Sequence, residues 1–446
     1  MPSIDAALAR TLEPWAQRVR ARTPLPLRIG WGDDPAAALL LCEPGTPPAV
    51  TLTLRSPAAL PALLSPSLES LGEAYVEGRI DLEGSVADVI EIAWRLAETG
   101  AASAEDARAL ADPAPQGSAL SRLMHRMGEA LRERQRHTPE ADREAIQYHY
   151  DVSNDFYARW LDPAMVYSCA YFETGEETLA QAQQKKIDHI LTKLRLAPGH
   201  TLLDIGCGWG ALVMRAAQRF GARCVGITLS QNQYELARER VRAAGLQDRV
   251  EIRLQDYREV QGRFDRISSV GMFEHVGLAN LPLYFRRIHD LLADDGWAMN
   301  HGITSTDPAN GETPYGGGRF IDRYVFPQGE LPHVGTVLTT LQQGGLEAFD
   351  VESLRRHYAR TLQCWSEAFE AQAEDLRRMT DERRFRIWRV YLAGCRWAFE
   401  HDHIALYQVL CRRAGRPARE LPWSRRWMYA ADATAGAGAD AAGASA

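Results

Sequence analysis

From about residue 145 the apolar positions along the chain switch period again and again. Short strand-like runs, TLLDIG (201–206), RCVGITL (223–229), RVEIRLQ (249–255), RFDRISSVGM (263–272) and GWAMNHGI (296–303), alternate with amphipathic helical stretches. That alternation predicts an α/β domain with a parallel sheet and helices on both of its faces. FDVES (349–353) and IALYQVLCR (404–412) are expected to add two final strands as a hairpin-like edge. Two long helical patterns, roughly 356–375 and 382–400, lie between them and read as an insertion covering an active site.

The first hundred residues carry a different pattern. AVTLTLRS (49–56) is strand-like and VADVIEIAWRLAE (86–98) is helical, which predicts a smaller α+β domain over 1–118. The domain ends in the Pro- and Gly-containing segment ADPAPQGS (111–118). Over 119–144, Leu120, Leu123, Met124, Met127 and Leu131 recur at helical spacing among Arg122, Arg126, Arg132, Arg134 and Arg136. This connecting helix would either rest on a membrane surface, its arginines snorkelling, or pack on the next domain. The main domain then runs 145–428. The Ala- and Gly-rich tail 429–446 is expected to be disordered.

Composition narrows the classes. At 446 residues with 46% hydrophobic and 24% charged content, the chain reads as a two-domain globular protein. The net charge of −7 argues against nucleic acid as a partner and leaves any attraction to an anionic surface to local patches. Seven scattered cysteines suit a reducing cytosol and show no metal-ligand spacing, so no metal is expected. The N-terminus has no signal-peptide pattern, and no apolar run is long enough to span a bilayer. A cytoplasmic protein is therefore expected. Only three residues are lysine (Lys185, Lys186 and Lys193), which reads as codon bias.

The chemistry starts at TLLDIGCGWGAL (201–212), where a strand runs into Gly206, Gly208 and Gly210 and then a helix. Glycines there let backbone approach a ligand closely. Their GxGxG spacing departs from the GxGxxG of dinucleotide-binding turns and resembles motif I of S-adenosylmethionine-dependent methyltransferases. Asp204 can hold a positively charged or hydroxyl-rich ligand, and Cys207 reads as filler in the turn. At GITLSQNQ (226–233) no acid stands ready for ribose hydroxyls, so Thr228, Ser230 and Gln233 must serve. At LQDYRE (254–259) Asp256 can accept from an adenine amino group and Tyr257 can cover the ring. A fourth polar strand end follows in SVGMFEHVG (269–277). Each alone is an ordinary turn former. Four at successive strand ends mark a cofactor site.

With HYDVSNDFYARWLDPAMVYSCAYF (149–172) and RYVFPQGELP (323–332), these segments closely resemble the cyclopropane fatty acid synthase family. The likeness runs from about 145 to 415 and more loosely over 45–100. It implies a Rossmann-like class I methyltransferase sheet with helical active-site insertions. It also implies S-adenosylmethionine as co-substrate, bound through Tyr167, Ser168, residues 202–210, Thr228 to Gln233 (Leu229 included), Tyr257 and Arg258. A bicarbonate ion is implied at Cys169 and Ile303 (both through backbone), Glu274, His301 and Tyr358. Cys395 corresponds to a cysteine lining the acyl site. Its apolar helix offers no activating base, so it reads as packing rather than a nucleophile. Among the many aromatics, Phe273 and Tyr324 are first candidates to face a cation, and GGGR (316–319) reads either as a mobile entrance loop or as a plain exposed loop.

The reaction implied is methylene transfer to the cis double bond of an unsaturated phospholipid acyl chain, closing a cyclopropane ring through a carbocation. A homodimer at the inner face of the membrane, peripherally bound, is implied with it. The same methylation ending in a methylene- or methyl-branched chain is the alternative. From another class, the alternative is a lipid-binding protein with a vestigial cofactor site.

Overall fold

A computed structural model describes residues 4–31, 38–110, 152–309, 317–327 and 329–432. The linker at 111–118, the basic helix expected at 119–144 and residues 433–446 of the tail lie outside the described residues. Residues 426–432 of the tail region form a 3-10 turn around a buried Met428, so order reaches Asp432.

Contacts divide the chain into two compact units, and the division is not contiguous as the sequence suggests. The first unit is residues 1–135, 312–327 and 369–398; the second is 136–311, 328–368 and 399–446. Most of the insertion expected to cover an active site thus groups with the N-terminal residues. The reason is specific pairing over some 300 positions of sequence. Arg386 donates to Asp81 at 2.6 Å and to the Tyr75 carbonyl at 2.9 Å. Trp397 stacks on Trp94 at 4.0 Å and donates to Glu91 at 2.7 Å. No local pattern encodes such partners.

The first unit carries a four-stranded sheet in the order β2-β1-β3-β4, built from β1 (Leu27–Trp31), β2 (Leu39–Leu40), β3 (Val50–Leu54) and β4 (Ile80–Glu83). In β1 and β3 every second residue is buried, the period of a sheet covered on one face. The GGGR segment differs from expectation: Gly317–Arg319 opens a helix that continues to Tyr324.

In the second unit, β5 (Thr201–Ile205), β6 (Arg223–Thr228), β7 (Val250–Leu254), β8 (Phe264–Val270) and β9 (Leu292–Ser305) run parallel. With β10 (Leu346–Ser353) and β11 (Ile404–Arg413), the sheet order is β10-β11-β9-β8-β5-β6-β7. The last two strands do pair antiparallel, but β11 sits inside, between β9 and β10. Four of the five residues of β5 are buried, as a central strand with helices on both faces requires. The chain passes from β5 to β6 and β7 on one side, then returns to β8 on the other. That reversal opens a crevice at the carboxyl ends of β5 and β8, where open α/β sheets bind ligands.

Candidate active site

The glycine turn is built by backbone geometry. Gly206, Gly208 and Gly210 have φ of +80°, +54° and +83°, a region that costs any residue with a Cβ. A Cβ on Gly206 would also lie 3.2 Å from Met272 Cγ, so the turns after β5 and β8 close on one another. Beneath the turn, Gly226 of β6 faces Cys207: an added Cβ would come 2.9 Å from both Cβ and Sγ of that residue. Gly226→Ala is therefore expected to displace the turn and weaken S-adenosylmethionine binding about 10-fold, the cost of roughly 1.4 kcal/mol of overpacking. Titration calorimetry would check it, with Cys207→Gly in the same chain restoring most of the affinity. Unchanged affinity in the single variant would mean that the turn yields freely.

A cavity of about 130 Å³ opens at this crevice. Of the residues assigned to the methyl donor, Tyr167, Ser168, Asp204, Gly206, Cys207, Gly208, Thr228, Leu229, Gln233 and Tyr257 line it. Gly210, Ser230, Asp256 and Arg258 do not. Gly210 precedes the helix Ala211–Phe220 in a left-handed conformation, and Ser230 caps the helix Gln231–Ala243 by accepting from the Gln233 N–H. The Asp256 carboxylate is gripped by Arg258, through Nε at 2.9 Å and Nη2 at 2.7 Å. With the Arg258 N–H also on Oδ1, that grip leaves a lone pair on Oδ2 to read an adenine amino group. Thr228 and Gln233, both lining the cavity, are joined by a hydrogen bond of 2.8 Å.

Lys186 also lines this cavity, and the sequence had concealed it. It is fully buried on the helix Leu179–Lys193, and its Nζ donates to Ser168 Oγ at 2.6 Å. Burial pulls its ammonium down to about 8. Asp204 is buried beside it, accepts from Ser268 Oγ at 2.7 Å, and is pushed up by burial to about 6. The neighbouring Gln183 amide donates to the carbonyls of Val166 and Ser168, fixing the segment that carries Tyr167. Trp209, inside the assigned stretch 202–210, also lines the cavity and is held by Asn154, which accepts from its Nε1 at 2.8 Å.

Segment 168–172 is stapled to the helix Arg355–Ala371. Cys169 Sγ contacts the Leu354 carbonyl just before that helix, the Ala170 N–H donates to Thr361, and the Phe172 N–H donates to His357. This brings Cys169 beside the helical turn that presents Tyr358. Aromatic rings then run continuously from the cavity: Trp209 to Tyr157 at 5.2 Å, Tyr157 to Tyr167 at 5.6 Å, Tyr167 to Trp365 at 5.2 Å, and Trp365 to Tyr358 at 6.0 Å. Neither aromatic first expected to face a cation belongs to this run. Phe273 is a core residue packed on Gly302, and Tyr324 lies in the first unit.

Glu274 sits on the short 3-10 turn Phe273–His275, and its Oε1 accepts from the Ile303 N–H at 2.7 Å. The Ile303 N–H expected to hold an anion thus holds this carboxyl. Burial pushes Glu274 up to about 7, against the bond from Ile303. His301 lies two residues before Ile303 on β9, so both side chains leave the same face. Burial, with the charges of Lys186 and Lys193, holds the His301 ring well below its ordinary value, hence neutral. Glu274 Oε2 and His301 Nε2 are both buried with no hydrogen-bond partner in the protein. One is an acceptor when ionised and the other is a ring nitrogen, so together they fit a small anion that carries an O–H. Cys395 belongs to the first unit, and burial pushes its thiol up to about 12, which favours the neutral thiol.

The doubly wound sheet, with its glycine turn after β5 and its cavity at the reversal of strand order, defines a class I S-adenosylmethionine-dependent methyltransferase. Residues 137–409 match the family model for mycolic acid cyclopropane synthetase, and residues 31–105 match one for a domain of unknown function. The chain belongs to the mycolic acid cyclopropane synthetase family. It is 44% identical over 408 residues to a probable fatty acid methyltransferase of Pseudomonas putida, covering 91% of this chain and 96% of the relative. To cyclopropane mycolic acid synthase 1 of Mycobacterium tuberculosis it is 37% identical over 276 residues, 60% of this chain and 96% of the relative. The solved structure of mycolic acid cyclopropane synthase CmaA1, complexed with SAH and CTAB, is 36% identical with a TM-score of 0.58, covering 61% and 98%.

Proposed function

We propose that this enzyme transfers a methylene group from S-adenosylmethionine to the cis double bond of an unsaturated acyl chain in membrane phospholipid, closing a cyclopropane ring. The observation that carries this reading is the pair of unpartnered buried atoms, Glu274 Oε2 and His301 Nε2, in a methyltransferase of this family. A heteroatom acceptor also loses a proton, but an alkene acceptor leaves a carbocation that must be stabilised as well as deprotonated, and membership of this family directs the pair to that task.

When bound, S-adenosylmethionine supplies an electrophilic methyl with a neutral thioether as leaving group, and bicarbonate supplies a base. The alkene π-electrons form the new bond to the methyl carbon, and S-adenosylhomocysteine departs. The cation on the chain loses a proton from that methyl as the ring closes. Tyr167, Trp365 and Tyr358 would offer π-faces to the positive charge, and the burial of Trp365 and Tyr358 excludes water that would trap it as an alcohol. His301 and Tyr358 would hold the bicarbonate, with the Cys169 backbone, and Glu274 would accept its O–H. Tyr167, Ser168 and Gln233 would hold the methyl donor. Among the described residues no helix is long and apolar enough to cross a membrane, so this reading has the enzyme reach the acyl chain from a bilayer surface. A homodimer is part of the same reading.

A second reading has a specific support: the Pseudomonas putida relative is named a fatty acid methyltransferase, without mention of a ring. Proton loss elsewhere on the chain would then give a branched product. The test is expression in a bacterium lacking its own synthase. Acyl chains heavier by one CH₂, with high-field cyclopropyl protons in the NMR spectrum, are expected. The mass gain without those signals would favour the branched product. No mass gain would overturn both readings in favour of another acceptor or a lipid-binding protein.

A further inference from the structure

Behind His301, on the side away from its unpartnered nitrogen, a buried polar chain runs to the edge of the sheet. Lys193, the last residue of the helix Leu179–Lys193, is fully buried. Its Nζ donates to Glu352 Oε2 at 2.5 Å, lies 3.1 Å from Asp350 Oδ2, and donates to Gln408 Oε1 at 3.2 Å. Gln408, also fully buried, stands opposite His301 in the β9–β11 register. Its Nε2 lies 3.2 Å from His301 Nδ1. His189 bonds Glu352 at 2.9 Å and Arg425 bonds Asp350, so the Lys193 ammonium and the Arg425 guanidinium face two carboxylates. The bonds from His189 and Lys193 outweigh burial and hold Glu352 down at about 2.

An ammonium only donates, so Lys193 decides which end of the Gln408 amide faces it: the oxygen. The amide NH₂ must then face His301. Because that group also only donates, Nδ1 has to accept and can carry no proton. A neutral imidazole in that position keeps its proton on Nε2. We propose that Lys193 and Gln408 act as positioning residues which lock His301 in its Nε2–H tautomer, making the ring an obligate donor toward the small anion. The opposite tautomer would aim a lone pair at an oxyanion. An imidazolium would set two N–H donors against each other at Nδ1. The tautomer stands on these contacts alone; only its benefit for anion binding rests on the function proposed above.

The test is ¹⁵N NMR of the full-length enzyme labelled at histidine, in buffer free of bicarbonate, with the His301 signals assigned by their loss in His301→Ala. In the native chain Nε2 is expected protonated and Nδ1 bare. Gln408→Glu keeps an oxygen for Lys193 but turns a second acceptor toward Nδ1, so it is expected to move a proton onto Nδ1. The same variant is expected to raise the bicarbonate concentration for half-maximal turnover roughly 10- to 100-fold, the range for losing a partner that orients a histidine ligand. Its affinity for S-adenosylmethionine, read by calorimetry, should stay within about 2-fold, since Gln408 does not line that cavity. A native ring protonated at Nδ1 overturns the proposal, as does a Gln408→Glu spectrum identical to the native one. Should the variant fail to fold, the native spectrum alone decides. A native enzyme with the expected tautomer but turnover indifferent to bicarbonate would support the relay and sink the anion reading.

Discussion

Glu274→Gln is expected to cut turnover roughly 10- to 1,000-fold, the range for one oriented catalytic group, while binding S-adenosylmethionine almost normally. It is also expected to make the folded protein more stable at alkaline pH. Burial raises the Glu274 carboxyl from an ordinary 4.5 to about 7. A carboxyl raised in this way holds its proton longer in the folded state than in the unfolded one. Stability is therefore lost as pH climbs from about 4.5 through 7, by on the order of 3 kcal/mol once the group is ionised. Glutamine keeps the oxygen that accepts from Ile303 and carries no charge at any pH. Melting curves at pH 5 and pH 8 would check this: near-equal midpoints at pH 5, and the variant melting higher at pH 8. A variant with normal turnover would remove Glu274 from the chemistry. Equal midpoints at pH 8 would mean that the native carboxyl is better solvated than its burial indicates.

The second large effect is expected from a single methyl group. A Cβ on Gly302 would overlap Cε1 and Cδ1 of Phe273 and lie 2.9 Å from its Cζ. Phe273 is 2% exposed and packed among Ile205, Ile267 and Ala298, so its ring cannot swing clear. The 3-10 turn that carries Phe273 also carries Glu274. Gly302→Ala is thus expected to cost about 3 kcal/mol or more and to lower turnover by at least 10-fold through misplacement of Glu274. Adding Phe273→Leu should restore part of both, which a double-mutant cycle on melting temperature and turnover would read. A Gly302→Ala enzyme as stable and active as the native one would show that the ring rearranges at no cost.

The fold was legible where local rules suffice. Five strand-like runs broken by amphipathic helices mark a doubly wound sheet, and the central run at 201–205 is apolar enough to be buried on both faces. The turn at Gly206, Gly208 and Gly210 could be read because three left-handed backbones in five positions leave few residues but glycine. What sequence hid was pairing at a distance. Asp256 reads as a free acceptor at a strand end, and only the fold shows Arg258 returning to pair with it. Phe273 and Tyr324 look equivalent as aromatics until one proves to be core and the other proves to belong to the first unit. The lysines are the clearest case. Three lysines among 51 basic residues read as codon bias. Two of them, Lys186 and Lys193, are fully buried on one helix, one against the cofactor cavity and one behind His301. Both do what a guanidinium fits poorly: place a compact charge where only one or two oxygens await it.

The way the first unit is assembled bears on how such a chain can be shortened. Residues 382–398 keep Trp397 on Trp94, Arg389 on Tyr75 and Arg386 on Asp81. The seam that composition marks at 111–118 therefore does not set residues 382–398 apart from the partners they pack on. Cutting there would strip a helix of its partners while leaving it spliced into the middle of the methyltransferase sequence. Loss of the N-terminal region would leave Trp397, Arg389 and Arg386 without these partners, so such a change calls for a rewritten surface some 300 residues downstream.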